Sequence, residues 1–350
     1  VMPLMDAWTN VFARVGKRTT GTGGGSWLIA GPNWEGTTPA GLELIRSPTD
    51  LVWLLGRIQT NGRDDVPAVK RLQQEFTLAP LSLWREGRHN PPLEMGAEPD
   101  KRDVSPKEEV AQLSAGEFLT RMTRLMQTQP PSPADAPALA EFAGLGLLQG
   151  QVFDLAQSGP VKRLLIERGV EYMRDNLLNE LSRRRTVENG WFIARHSIGN
   201  YGTDYGMRAG VALIGLGALP PAEASYPSTT VDSNGRPLSG KHRYRIRFLP
   251  GETPPADAFW SLTMYNEEDY LVDNPIGRYA IGDRDPLVYL PDGSLELLIQ
   301  HEQPPAGSNN WLPAPAGNFT LTLRIYMPRD AFLNGDWSPP AVERLEEGTQ

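Results

Sequence analysis

Residues 242–248, His-Arg-Tyr-Arg-Ile-Arg-Phe, decide the fold class of this chain. Arginine alternates with apolar or aromatic residues at a period of two, which is typical of a strand with one face on a core and one in water. The same period recurs in Leu295, Leu297 and Ile299 and in Phe319, Leu321, Leu323 and Ile325. Pro291-Asp292-Gly293-Ser294 predicts a turn between two such runs. Short strands with turn signals at this spacing predict a jelly-roll β-sandwich over residues 186–350.

The preceding residues, 78–185, predict a polar connection followed by an α-helical block. Two capping boxes compete for a helix start, and we favour the second: Ser105 with Glu108, and Ser114 with Glu117. After Pro160, apolar residues recur at helical spacing and predict one buried helix face: Ile166, Val170, Met173, Leu177 and Leu181.

Residues 1–77 predict short strands between glycine turns, which is typical of a small β-sandwich. Residues 51–60 are predicted as one strand that ends at the turn Asn61-Gly62. The 35 glycines and 32 prolines among 350 residues favour many turns over long helices. We therefore predict a mainly β protein with an N-terminal β-sandwich, an α-helical middle block and a C-terminal jelly roll.

Composition excludes several classes of function. With 34 basic and 42 acidic side chains, the chain lacks the positive field that a nucleic-acid partner requires. The absence of cysteine excludes disulfides, thiolate nucleophiles and zinc-finger sites. The longest apolar stretch, residues 210–222, contains Pro220 and is shorter than the roughly 20 residues of a membrane helix, so we predict no integral membrane segment.

Metal and cofactor motifs are absent from the sequence, and we predict neither group. His242 and His301 share the inward parity of their predicted strands. Two interpretations stay open for them: metal ligands inside the jelly roll, or hydrogen-bonded core histidines, which are the commoner case.

The segment 200–210, Asn-Tyr-Gly-Thr-Asp-Tyr-Gly-Met-Arg-Ala-Gly, carries the candidate catalytic residues. If it is helical from Thr203, four polar residues lie three or four positions apart on one face: Tyr201, Asp204, Tyr205 and Arg208. A carboxylate, a guanidinium and two phenols suit general acid–base chemistry or the anchoring of an anionic or polyhydroxyl ligand. The alternative is a buried network that fixes the helix in place.

A second segment predicts ligand contacts. Asn310-Trp311-Leu312-Pro313 and Arg278 combine an aromatic ring, an amide and a cation, which suits stacking and hydrogen bonding to a ring-shaped ligand. We take Trp311, Asn310 and Arg278 as candidate ligand-binding residues. Tryptophan is also an ordinary core residue, and that alternative stays open.

Five motifs carry a family resemblance over nearly the whole chain: residues 1–10, residues 56–62, Tyr201-Gly202-Thr203-Asp204-Tyr205, residues 259–265 and residues 310–315. Together they resemble the bacterial proteins that join domains of unknown function 1254 and 1214. The resemblance implies a β-sandwich, a helical middle and a jelly roll. It also implies an export or lipoprotein leader, and a first domain of which part normally precedes the residue matching Val1, so that part is expected to be missing here. It implies no activity.

Two functions follow as hypotheses. The first is an exported, periplasmic enzyme or binding protein that takes a small polar or carbohydrate-like ligand between the helical block and the jelly roll. The second is a structural or assembly protein of the cell envelope without catalytic activity. A homo-oligomer is a further expectation, and whether the chain is an enzyme stays open.

Overall fold

The chain forms two compact units in a computed structural model that describes residues 1–89, 104–183, 186–305 and 307–346. The first unit comprises Val1–Asn179 and Gly202–Gly217, and the second comprises Glu180–Tyr201 and Ala218–Gln350. The three predicted regions, 1–77, 78–185 and 186–350, divide the chain differently. The predicted strand block and helical block belong to one unit, and the helical segment 202–217 joins them there.

Two small sheets begin the first unit. Met2–Met5 lies between Val11–Val15 and Trp53–Leu54 and runs antiparallel to both, while Trp27–Ala30 pairs in parallel with Glu43–Arg46.

The strand predicted over residues 51–60 is shorter than expected, since only Trp53–Leu54 forms a ladder. The following residues keep an extended contact, because the amides of Leu55 and Arg57 donate to the carbonyls of Pro3 and Val1 at 3.2 and 2.9 Å. Leu51 stays exposed, so the apolar run that predicted a longer strand does not cover a core.

Helices make up the rest of the first unit, and the longest of them ends in residues that belong to the second unit from Glu180 on. Their bounds are Lys17–Thr20, Val66–Glu75, Leu81–Arg85, Pro106–Gln112, Ala115–Thr128, Ala136–Gly144, Pro160–Arg183 and Tyr205–Ile214, with 3-10 turns at Arg63–Asp65, Pro133–Asp135 and Leu155–Gln157. Buried Ala115, Leu147, Phe153, Leu155 and Ile166 form their core. The polar connection predicted before this block includes residues 90–103, which lie outside the described residues.

Both predicted capping boxes are present rather than one. Ser105 caps Pro106–Gln112 and Ser114 caps Ala115–Thr128, each with the reciprocal glutamate bond. Leu113 and Ser114 are extended residues that separate the two helices. The two signals therefore start two helices instead of competing for one.

The predicted buried face of the long helix is only partly buried. Ile166 lies in the helical core and Val170 packs against it, whereas Met173 is 47% exposed. Leu181, near the end of the helix, is also buried. Helical periodicity thus identified the helix, but its predicted buried face is interrupted at Met173.

The second unit is a sandwich of two sheets, as predicted. One sheet has the order Trp311–Pro313, Leu295–Gln300, Arg243–Phe248 and Glu343–Leu345. The other has the order Ala280–Gly282, Ala256–Tyr265, Thr320–Pro328, Ser228–Thr229, Trp191–Ile193 and Thr186–Glu188, with Ala224–Ser225 also paired to Thr320–Pro328. A short helix, Asp330–Leu333, follows the last long strand. Buried side chains from both sheets, including Ile246, Leu297, Leu262 and Leu323, form one core.

The stretch 242–248 takes the predicted alternation. Tyr244, Ile246 and Phe248 are buried, whereas Arg245 and Arg247 lie on the outward face. Their charges are balanced there, because Arg245 pairs with Glu343 and Glu296 and Arg247 with Asp292 and Glu296. A period of two thus predicted both the strand and the side of it that faces the core.

Within the described ranges, none of the helices combines the length with the apolar character that crossing a membrane requires.

Candidate functional site

The helix Tyr205–Ile214 positions two of the four predicted catalytic residues. It begins two residues later than predicted, because Asp204 is its N-cap: the Asp204 carboxylate accepts the Met207 amide at 3.0 Å. A cap of this kind satisfies a backbone donor that the helix leaves unpaired. Asp204 therefore has a structural task at the helix start, where we predicted a catalytic carboxylate.

Tyr201 does not share a helix face with the other three candidates, contrary to the prediction. It precedes the helix, is 4% exposed and belongs to the second compact unit. Tyr205 and Arg208 remain, one turn apart on the same helix face and in the first unit.

Arg208 places its cation beside two aromatic rings. Its Cζ atom lies 5.7 Å from the centre of the Tyr205 ring and 5.9 Å from that of Trp8. An Nη2 atom donates to the Gly202 carbonyl at 2.9 Å. Guanidinium groups at this distance from aromatic rings are attracted to them, so the contacts fix the Arg208 side chain.

A tight loop holds Trp8. The Asp6 carboxylate accepts the amides of Trp8 and Asn10, both at 2.9 Å, and Thr9 between them has a φ of 64°. The Trp8 indole donates to the Pro130 carbonyl at 3.1 Å. The hydrogen bonds of the Trp8 amide and of the Trp8 indole together fix the indole before any ligand binds. A side chain that is already fixed lowers the entropic cost of binding.

Asp135 completes the arrangement as a buried carboxylate. It is 6% exposed, and its two oxygens accept the Tyr205 hydroxyl and the Ser132 amide, both at 2.9 Å. Desolvation raises the pKa of Tyr205, and the hydrogen bond to Asp135 raises it further. The phenol thus stays neutral, donates to Asp135 and keeps lone pairs for a second partner. We call Trp8, Asp135, Tyr205 and Arg208 the Trp8 cluster.

Sequence reasoning assigned no role to Trp8 or Asp135. Trp8 lies in a motif quoted for the family resemblance, and Ser132-Pro133-Ala134-Asp135 has the spacing of a capping box, which the structure forms. That spacing could have identified the cap. The bond from Tyr205 joins residues 70 positions apart and leaves no local signal.

The predicted ligand-binding residues of the sandwich do come together, but they bond to the protein itself. Trp311 is 2% exposed and its indole donates to the Gln300 carbonyl at 2.9 Å. The Arg278 guanidinium donates to the carbonyls of Trp311 and Ser308. The Asn310 side chain exchanges bonds with the Val288 backbone. A buried ring offers no stacking surface, so this geometry favours the core alternative, and ligand binding here stays a prediction.

The two strand histidines lie outside the buried core, and each has a ring nitrogen close to another group of the protein. His301 is exposed and its Nδ1 lies 2.9 Å from the Ala314 carbonyl, while the Nδ1 of half-buried His242 lies 2.8 Å from Arg344. His301 follows the end of its strand, where inward parity no longer applies. Across the described part of the chain, no three His, Asp or Glu side chains gather as a metal site would require.

Family profiles match two separate segments. Residues 1–80 match the family described as protein of unknown function DUF1254. Residues 223–330 match the family described as protein of unknown function DUF1214. The first segment lies in the first compact unit and the second in the sandwich unit.

Among solved structures, the VPA0106 protein from Vibrio parahaemolyticus is similar over 99% of this chain and 82% of its own, with a TM-score of 0.71 and 26% identity. An uncharacterised protein from Burkholderia cenocepacia aligns over 67% of this chain and 53% of its own at 17% identity, and its TM-score of 0.28 carries no argument. No protein with a curated function matches.

Proposed function

Because this chain belongs to the proteins that join DUF1254 to DUF1214, whose descriptions name no activity, we propose its function from the Trp8 cluster: it binds a small, uncharged polyhydroxyl ligand of the carbohydrate class. The observation that carries the proposal is the convergence of one fixed indole, one guanidinium and one phenol at a single place in the first unit.

The chemistry of the cluster suits a sugar. An indole face packs against the C–H groups of a pyranose ring, and a few placed polar groups fix the orientation of such a ligand. Arg208 supplies N–H donors, and the Tyr205 oxygen accepts from a ligand hydroxyl while its own proton goes to Asp135. Tyr205 is 40% exposed, so part of its side chain is open to solvent.

The same cluster favours binding over catalysis. A general base works best with a pKa close to the working pH, and the pKa of Tyr205 moves away from neutrality. The oxygens of Asp135 both accept hydrogen bonds from the protein. These groups orient a ligand without taking a proton from it.

Titration calorimetry with a panel of neutral mono- and disaccharides tests the proposal. We expect at least one sugar to bind with a Kd of about 1 mM or tighter, which corresponds to roughly −4 kcal/mol. The variant W8A should lose that binding, and W34A should keep it because Trp34 lies on a separate loop of the same unit. The proposal fails if the whole panel gives no heat, or if W8A binds as well as the wild type.

An exported location forms part of the proposal. A chain without cysteine passes through an oxidising compartment without mispairing, which supports export. Fractionation of cells that make the natural protein should recover it outside the cytoplasm; recovery with the cytoplasmic markers would contradict this.

An assembly role is the second candidate, and exposed apolar side chains of the helical block favour it. Val161, Leu164 and Leu165 are all more than half exposed on the long helix. Such patches mark association sites in many proteins. Sedimentation should then show dimers or larger species that L165E disperses, and a monomer at high concentration would remove this candidate.

A further inference from the structure

Arg324 lies on the outward face of the larger sheet of the sandwich, without a carboxylate beside it among the described residues. It is half-buried, and its guanidinium donates to the hydroxyls of Thr263 and Tyr265. Both partners are neutral. A cation withdrawn partly from water is normally paired with an anion, because hydroxyls alone do not replace its hydration.

Three other outward arginines of the same unit have the partner that Arg324 lacks. Arg245 and Arg247 on the smaller sheet lie 2.8 Å from Glu343 and Asp292. Arg329, five residues after Arg324, lies 2.7 Å from Asp257. Arg324 differs from these three because its hydrogen bonds go only to neutral hydroxyls.

Small and hydroxyl-bearing residues lie next to Arg324 on the two strands to one side of it. The strand register sets Ser261 opposite Arg324 and Thr263 opposite Thr322. Ala280 lies beside Thr263 on the next strand. None of these side chains is long enough to cover the guanidinium.

Aromatic rings lie on both sides of this polar patch. The Tyr265 ring centre is 5.5 Å from the Arg324 Cζ atom. In the opposite direction, Phe259 and Tyr326 stack with their ring centres 4.2 Å apart. Tyr326 is two residues from Arg324 along one strand, a separation of about 7 Å between same-face positions. The stacked pair therefore lies within reach of a ring whose carboxylate is bound to Arg324.

We propose that this face binds a carboxylate attached to a six-membered ring, with the carboxylate on Arg324 and the ring beside Phe259 and Tyr326. Arginine has five N–H donors, and only two are used by Thr263 and Tyr265, so a fork remains for the two carboxylate oxygens. The site belongs entirely to the sandwich unit and does not depend on the Trp8 cluster.

Two probes distinguish the possible sources of such a ring. Glucuronate carries a sugar ring and benzoate an aromatic ring; glucose is the matched probe without a carboxylate. Calorimetric titrations use the whole chain as wild type, R324Q and R247Q. We expect one acid to bind the wild type and R247Q equally and to bind R324Q at least tenfold more weakly. Glucose should give the same result with R324Q as with the wild type.

The assignment is overturned if R324Q binds the acid as well as R247Q does, or if neither acid binds the wild type. It is also overturned if R208Q, rather than R324Q, loses the acid, because the acid then sits at the Trp8 cluster. If R324Q does not fold, phenylglyoxal labelling of the wild type replaces it. The bound acid should then protect Arg324 but not Arg247, and equal labelling with and without the acid contradicts the site.

Discussion

Replacing Arg195 with methionine is expected to lower the free energy of unfolding of the sandwich unit by about 3 kcal/mol, the cost of removing one member of a largely buried ion pair. Arg195 is 9% exposed and makes a two-pronged bond to Glu188, at 2.5 and 2.8 Å. It also donates to the carbonyls of Phe332 and Trp337 at 2.7 and 3.3 Å. The substitution leaves two carbonyls without this donor and leaves the half-buried Glu188 carboxylate without its cation, with only the Ser338 hydroxyl still donating to it.

Arg329 provides the control for this prediction. R329M removes an ion pair with Asp257 in which both side chains are more than half exposed, so the expected loss is below about 1 kcal/mol. Urea unfolding monitored by tryptophan fluorescence measures both variants. Equal losses would show that the Arg195 network is not a special source of stability.

The pH dependence of the stability of R195M tests whether the ion pair with Glu188 is the cause of the expected loss. The bond from Arg195 lowers the pKa of Glu188 below its ordinary value of 4.5. A lowered pKa contributes stability above the unfolded value and loses it as the pH falls through the folded value. The stability difference between wild type and R195M should therefore be full at pH 7 and shrink below about pH 4.5. A difference that stays constant into acid would contradict the ion-pair explanation.

Substituting Arg208 with glutamine is expected to weaken binding of the sugar at least about tenfold, as loss of a charge-assisted hydrogen bond does. Glutamine keeps an amide donor but loses the cation between the Trp8 and Tyr205 rings. R168Q is the control, since Arg168 lies exposed on the long helix and pairs only with Glu171 in the described chain.

An unfolding curve of each variant shows whether it is folded. For folded variants, a change in the calorimetric affinity then reports binding alone. We expect R168Q to bind as the wild type does. Unchanged affinity in folded R208Q would remove Arg208 from the site.

Periodic features of the fold could be predicted from the sequence, and single-residue features could not. The strand Arg243–Phe248 was correct because the sheet has one buried face, which imposes a period of two. The start of the Tyr205 helix was wrong by two residues because Asp204 caps it, a position that aspartate favours over a helix interior. Met173 was predicted as buried because helical spacing shows which residues share a face, but not how far the core extends.

The candidate site was only half predictable for a related reason. Tyr205 and Arg208 are neighbours on one helix, so their spacing revealed them. Trp8 and Asp135 reach them from loops far away in the chain, and such contacts leave no periodic signal. Trp311 was predicted as a candidate ligand-binding residue because its neighbours are prolines and amides, with a core position left open, and its buried indole donates to the Gln300 carbonyl.

Fluorine NMR of protein labelled with 5-fluorotryptophan tests the central proposal most directly, because each of the nine tryptophans gives its own signal. Loss of one resonance in W8F assigns Trp8. On titration with the bound sugar, the Trp8 resonance should shift while that of buried Trp311 stays in place. A sugar that binds without moving the Trp8 resonance would contradict the account.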